Sequence, residues 1–274
     1  MYQIKKKSTT QYAEIACVFA LSDLSEQIKA ATKNNHVRAE NTQLMLSYQK
    51  GQITMTEYKV LLCSLYEIYQ ALEEELDTNA SHPAVAPIYF PQELARVNSL
   101  QSDREHFFGS DWRKKVIVPA ATHRYTQRIR QIGRENPMLL VSHAYTRYLG
   151  DLSGGQVLGK ITQKSLGLSS KEGISFFSFP GVSSPNRFKQ LYRSRMNSIE
   201  LTEQERAEVL EEAVSAFEFN IQVFDDLQKM LSVTAEAVDQ SKSRTVNFPS
   251  SPIMHFTMGL CVAVATIGMG IYLM

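Results

Sequence analysis

From about residue 22 to residue 231, apolar side chains return every three or four positions, the pattern of helices that each bury one face. Leu62, Leu65, Tyr66, Tyr69, Leu72 and Leu76 trace one such face. Val209, Ala213, Phe217, Asn220, Phe224, Leu227 and Leu231 trace another, on a longer helix. Asp23 with Glu26, and Thr202 with Glu205, have the spacing of capping boxes, and Pro91 after Phe90 suits a first helical turn. The nearest approach to strand alternation, Ile174–Phe179, reads as loop, and Pro83, Pro87 and Pro91 read as an extended connector. No internal repeat is present. The expected fold is all-α, a compact multi-helix domain over 22–231.

The two ends differ from this body. Lys5–Lys7 followed by the apolar run Ile15–Leu21 loosely resembles a signal peptide, but the run is short, Glu14 interrupts its approach and Ser22-Asp23 follow at once. Residues 1–21 are therefore expected to be an N-terminal extension in the cytosol. At the other end, 253–274 holds no Asp, Glu, Lys or Arg, and about 20 apolar residues suffice to cross a bilayer core as a helix. Lys242 and Arg244 precede it, which places the large N-terminal part on the cytosolic side. The expectation is a single-pass transmembrane tail anchor, joined to the domain by a polar tether over 232–252.

Composition narrows the function. A net charge of +1 argues against nucleic acid as the main partner. Cys17, Cys63 and Cys261 are scattered, giving neither a disulfide framework nor a zinc cage, and the six histidines show no H-E-x-x-H or H-x-H spacing.

Four places carry candidate chemistry. On the first helix Lys29, Lys33, His36 and Glu40 fall at i, i+4, i+7 and i+11 and share a face, beside a separate stripe of Leu24, Ile28 and Ala31. An imidazole flanked by ammonium groups suits a haem, with Glu40 placed to accept the second ring N–H. A lone helical histidine among charges is more often a solvated surface residue.

The second place, His143–Gln156, looks helical at both ends, yet Gly150, Gly154, Gly155 and Gly159 fall within ten residues. Each interior glycine costs about 1 kcal/mol relative to Ala, so their number needs a reason, and a kinked helix lying bare against a large planar ligand supplies one. Leu152–Gln156 also spells the signature of ABC-type ATPases, and Gly154, Gly159 and Lys160 nearly spell a phosphate loop. Ile161 stands where that loop needs Ser or Thr, and no strand precedes it.

The third is a helix opening near Asn186, with Phe188, Leu191, Tyr192 and Ile199 on its apolar face and Lys189 and Arg193 one turn apart beside it. The fourth is Asn220, a polar amide on an otherwise apolar face, which needs partners.

These pieces resemble one family. Y-T-R-Y-L-G-D-L-S-G-G-Q at 145–156 is similar to the signature of the haem oxygenases, and so are F-K-Q-L-Y-R-S-R-M-N at 188–197, His36 in H-x-x-A-E-N, the run Ser64–Glu75, and Ala86-Pro-x-Tyr-Phe-Pro91. The resemblance implies a fold holding haem between proximal and distal helices, with His36 as the axial iron ligand. It implies propionate-side contacts from Lys29, Lys33, Tyr145, Lys189 and Arg193. Gly150, Gly154 and Gly155 would belong to the distal helix, and Asp151 would organise distal water with Tyr69, Arg147 and Asn220.

The implied reaction uses haem b as substrate and cofactor. With O2 and electrons from NADPH–cytochrome P450 reductase, it cleaves the alpha-meso carbon to give biliverdin, CO and Fe2+. The implied setting is the endoplasmic reticulum membrane, with biliverdin reductase acting downstream. No Cys-Pro haem-regulatory motif is present, which disfavours the constitutive paralogue without deciding between the two. A tail-anchored helical regulator of the Bcl-2 type is the rival from another class. It accounts for the anchor and the helices, but not for the glycines or the basic pairs.

Overall fold

The computed structural model describes residues 23–112 and 118–244, with side chains through 232. No strand occurs among them. The 1–21 extension and the 253–274 anchor segment lie outside the described residues, within which no helix is long and apolar enough to cross a membrane.

The domain is organised on α4, Met55–Thr78. It starts at a capping box in which Thr54 Oγ1 accepts from the Glu57 amide at 3.2 Å and the Glu57 carboxylate accepts from the Thr54 amide at 2.7 Å. All six positions of its expected apolar face are buried, each contributing roughly 1.5–3 kcal/mol of apolar transfer. Its main neighbours are α7, Ala120–Glu135, and α6, Val97–Phe108. On α7, Ala121, Tyr125, Ile129 and Ile132 form the buried stripe. Three short helices, α1 (Leu24–Ala31), α2 (Lys33–Glu40) and α3 (Gln43–Gln49), precede α4, and α5, Pro91–Leu94, opens on its proline.

The glycine-rich segment is continuous helix in three parts: α8 (Leu140–Gly150), a π-helical turn over Asp151–Gly155, and α9 (Gln156–Ser165). The expected irregularity is therefore a π-turn, a feature that is frequent at functional sites. Among the described residues a tenth α-helix, α10, spans Pro185–Asn197, and the last, α11, spans Glu203–Arg244. The Thr202–Glu205 capping box forms at its start, with reciprocal bonds of 2.8 and 3.2 Å. Two compact units divide at Thr234 and Ala235, and the second is described only through Arg244, as helix. The described part of the expected polar tether is thus helical.

Several local expectations are corrected. Asp23 occupies its cap position without a side-chain cap bond. The first helix is two helices, meeting at Thr32, where the side chain bonds back to the Ile28 carbonyl at 2.8 Å. Side-chain competition of this kind bends helices. The buried stripe then runs through Leu24, Ile28, Thr32 and Asn35, and Ala31 is exposed. The proline connector folds into turns with a 3₁₀ segment at Ala86–Ile88 instead of extending, because Pro fixes φ in a range that 3₁₀ helices also use. Leu191 faces solvent at 43% exposure, while Tyr192 is buried.

Ile174–Phe179 contains a 3₁₀ turn, Ser175–Phe177, whose amides at Ser175 and Phe176 donate to Asp103 at 2.7 and 2.8 Å. That tie sets Phe177 against Gly159, where a Cβ would come within 2.8 Å of the Phe177 Cβ. Gly159 therefore serves helix packing, and not the approach of a ligand.

Candidate active site

Tertiary structure brings four of the expected residues into one cluster. Tyr69 on α4 donates its hydroxyl to Asp151 on the π-turn. Arg147, one turn earlier on α8, lies 3.4 and 3.5 Å from the two Asp151 oxygens, and its other terminal nitrogen donates to Asn220 on α11 at 2.8 Å. Burial pushes the Asp151 carboxyl above its ordinary range, and Arg147 and Tyr69 pull it back only in part. Burial also drives the Tyr69 hydroxyl up, and the neighbouring carboxylate adds to that. For Arg147 burial works against the charge, but Asp151 and the tyrosines outweigh it and hold the guanidinium charged.

The cluster continues inward through residues that sequence reasoning missed. Asn220 Nδ2 lies 3.4 Å from the Tyr125 hydroxyl, which lies 3.3 Å from His143 Nδ1. His143 Nε2 lies 2.8 Å from Glu212, and Arg128 donates to the same carboxylate at 2.6 and 3.1 Å. Burial would raise Glu212, yet the bonds from His143 and Arg128 prevail and hold it down at about 2. One signal was available: Glu212, like Asn220, interrupts the buried stripe of α11.

The glycines divide by role. A Cβ on Gly150 or Gly154 would meet nothing within 4 Å, so open space lies beside both. Gly155 is buried, and a Cβ there would touch Asp151 at 3.4 Å and Phe177 at 3.7 Å.

His36 stands exposed on α2, its ring 5.8 Å from that of Phe217 on α11. Its Nδ1 lies 3.6 Å from Glu40, an approach longer than a hydrogen bond. Its Nε2 has no partner among the described residues. Phe217 and Asn220 are three positions apart on α11, so a single helix touches both the histidine ring and the Arg147 cluster.

Among the basic residues, Lys189 Nζ donates to Ser153 in the π-turn at 3.0 Å. Lys29 pairs with Glu26 at 3.5 Å on an open face, Lys33 is exposed, and Arg193 and Tyr145 are half-buried. No contact among the described residues joins Lys29, Lys33 or Arg193 to the Asp151 cluster. The donor set fits a haem: an exposed imidazole with a free nitrogen, bare helix backbone beside a half-buried carboxylate, and cations at the margin.

Fold and site together define an all-helical protein built round one polar, glycine-edged centre. The family model described as heme oxygenase matches residues 22–226. A heme oxygenase of Takifugu rubripes is 63% identical, the match covering 91% of this chain and 94% of that protein. Heme oxygenase 1 of Homo sapiens is 46% identical, with 92% and 96% covered. Among solved structures, heme oxygenase-1 of the cyanobacterium Synechocystis, in complex with heme, superposes with a TM-score of 0.74 at 37% identity, covering 81% of this chain and all of that one. The chain belongs to the heme oxygenase family and is an enzyme that degrades haem.

Proposed function

We propose that this enzyme cleaves haem b at the alpha-meso carbon to biliverdin, CO and Fe2+, using O2 and electrons passed from NADPH by cytochrome P450 reductase. The observation that carries this reading is the half-buried Asp151, held by Tyr69 and Arg147 beside the open face of Gly150 and Gly154. When bound, haem supplies both the iron at which O2 is reduced and the carbon that is oxidised.

The remaining work falls to the chain. His36 offers Nε2 to the iron from α2, with Glu40 one turn on at 3.6 Å from Nδ1. Lys29, Lys33, Tyr145, Lys189 and Arg193 take the propionates and fix the in-plane rotation of the ring. Without side chains, Gly150 and Gly154 let helix backbone approach the macrocycle. Asp151 accepts from Tyr69 and Arg147, and its remaining lone pairs hold a water that passes protons toward the glycine-edged face. Asn220 keeps Arg147 in place.

The proposal extends to the setting: residues 253–274 anchor the chain in the endoplasmic reticulum membrane, where the reductase also resides, and the biliverdin formed passes to biliverdin reductase.

Single-turnover oxidation of the haem complex with the reductase tests the chemistry. Equimolar CO and the alpha isomer of biliverdin are expected, and release of intact haem or a mixture of isomers would overturn the reading. For the ligand, His36→Ala is expected to lose turnover and to regain it with added imidazole. Unchanged electron paramagnetic resonance in that variant would move the ligand elsewhere.

A further inference from the structure

The helix that carries His36 has almost nothing of its own to hold it. Of the eight residues of α2, only Asn35 is buried, and no apolar side chain of this helix enters the core. Lys33-Asn-Asn-His36 is also a weak helical sequence, since asparagine competes for the backbone. Yet an axial ligand works only if its ring is held at a fixed pitch and height.

We infer that Glu218 is the positioning residue for the His36 imidazole. This rests on the reading of His36 as the iron ligand. The Glu218 carboxylate on α11 grips α2 at two points astride the histidine. Its Oε1 accepts from Asn35 Nδ2 at 2.5 Å and also from Arg38, and its Oε2 accepts from the second terminal nitrogen of Arg38 at 3.2 Å. The adjacent Phe217 packs on the imidazole ring itself. A two-nitrogen fork on a carboxylate fixes direction as well as distance.

Two residues further along α11, Asn220 receives the Arg147 guanidinium that holds Asp151. One rigid stretch, 217–220, therefore sets the proximal ligand and the Arg147–Asp151 pair in a common register. Exposure of the Arg38–Glu218 pair, at 57% and 35%, makes it a small contributor to global stability. Its role is orientation.

The test compares wild type, Glu218→Ala, Glu218→Gln and Arg38→Gln, each as apoprotein and as ferric haem complex. In the apoproteins, hydrogen exchange at the α2 amides of Glu218→Ala is expected to accelerate about tenfold, the loss of a charged hydrogen bond, while α4 is unchanged. In the haem complexes, Glu218→Ala is expected to keep histidine ligation but to broaden the electron paramagnetic resonance lines of the low-spin azide adduct, as ring orientations spread. Glu218→Gln, which keeps one acceptor oxygen but loses the Arg38 fork, and Arg38→Gln, which loses the same fork, should each give an intermediate spread.

Faster exchange with wild-type linewidths would show a tether without a positioning role and overturn the inference, as would wild-type behaviour in both measurements. A wild-type complex lacking a histidine signature would overturn the His36 reading instead. If Glu218→Ala fails to fold, the linewidths of the Gln and Arg38 variants decide: no spread in Arg38→Gln overturns it.

Discussion

Arg147 and Asn220, separated by 73 positions in the chain, are joined by a 2.8 Å bond from guanidinium to carboxamide oxygen. That bond ties α8 to α11 and leaves the other arm of Arg147 on Asp151. A buried guanidinium with one anionic and one neutral partner is held firmly, because rotating away strands a charge.

Asp151 follows from this. Asp151→Ala and Asp151→Asn are expected to bind haem with near-normal affinity, since the histidine and the cations are untouched. Biliverdin formation should fall by about 10²-fold, the scale of a lost proton-transfer group, while peroxidase activity toward small phenols rises. Biliverdin yield and guaiacol oxidation measured on the same loaded samples distinguish this from a buttressing role, in which both decline together.

The glycines divide into two experiments. Gly159→Ala drives a Cβ into Phe177 and should destabilise the apoprotein by about 1–3 kcal/mol through overpacking. Gly150→Ala and Gly154→Ala meet open space and should leave the apoprotein as stable or up to about 1 kcal/mol more stable, because Ala is the better helix former. Those two should nevertheless weaken haem binding. Apoprotein melting set beside haem titration checks the contrast, and equal affinity in Gly154→Ala would show that the macrocycle does not lie against that backbone.

Glu212 predicts a pH dependence. Its folded value of about 2 lies below the ordinary 4.5, so its stabilisation is complete above 4.5 and is lost as the pH falls toward 2. With solvent screening at the Arg128 side, the contribution at neutral pH is about 1–2 kcal/mol. Glu212→Gln should therefore be less stable than wild type near pH 7, and the gap should close on acidification through that interval. Denaturant midpoints at pH 7, 5, 4 and 3 measure it, and a constant gap would remove the linkage.

Reversing Lys189 and Arg193 to Glu should change which meso carbon is cleaved more than it changes affinity. Exposed charge pairs are each worth about 0.2–1 kcal/mol, too little to govern binding but enough to rotate a ring between near-equivalent seatings. Chromatography of the biliverdin isomers reads the result; pure alpha product from the double variant would remove these cations from regiochemical control.

Truncation before Ile253 should release the protein from membranes with its haem degradation by ascorbate intact and its coupling to membrane-bound reductase reduced. Fractionation followed by both assays tests the anchor, and a truncated chain that still pellets with membranes would place the attachment elsewhere.

Much of this was readable in the order of residues. Periodic burial reports which face of a helix turns inward, and it located the buried face of α4, from Leu62 to Leu76, and on α11 the buried Val209, Ala213, Asn220 and Leu227, while Phe217 and Phe224 of the same stripe are half-buried. The cost of interior glycine marked 150–155 as a place needing explanation, and the signature around Asp151 identified the family. What periodicity does not carry is the partner across the gap. Phe177 lodged against Gly159, the Tyr125–His143–Glu212 chain and the Glu218 grip on α2 each depend on which elements meet and at what register. Those contacts join residues from 18 to 183 positions apart, and side-chain contacts between separate elements leave no local pattern. Sequence determined most of the helices and the chemical groups; only packing decided that α11 would hold the imidazole and the Asp151 carboxylate in one register, because that depends on where separate helices are placed in three dimensions and not on the local pattern of any one of them.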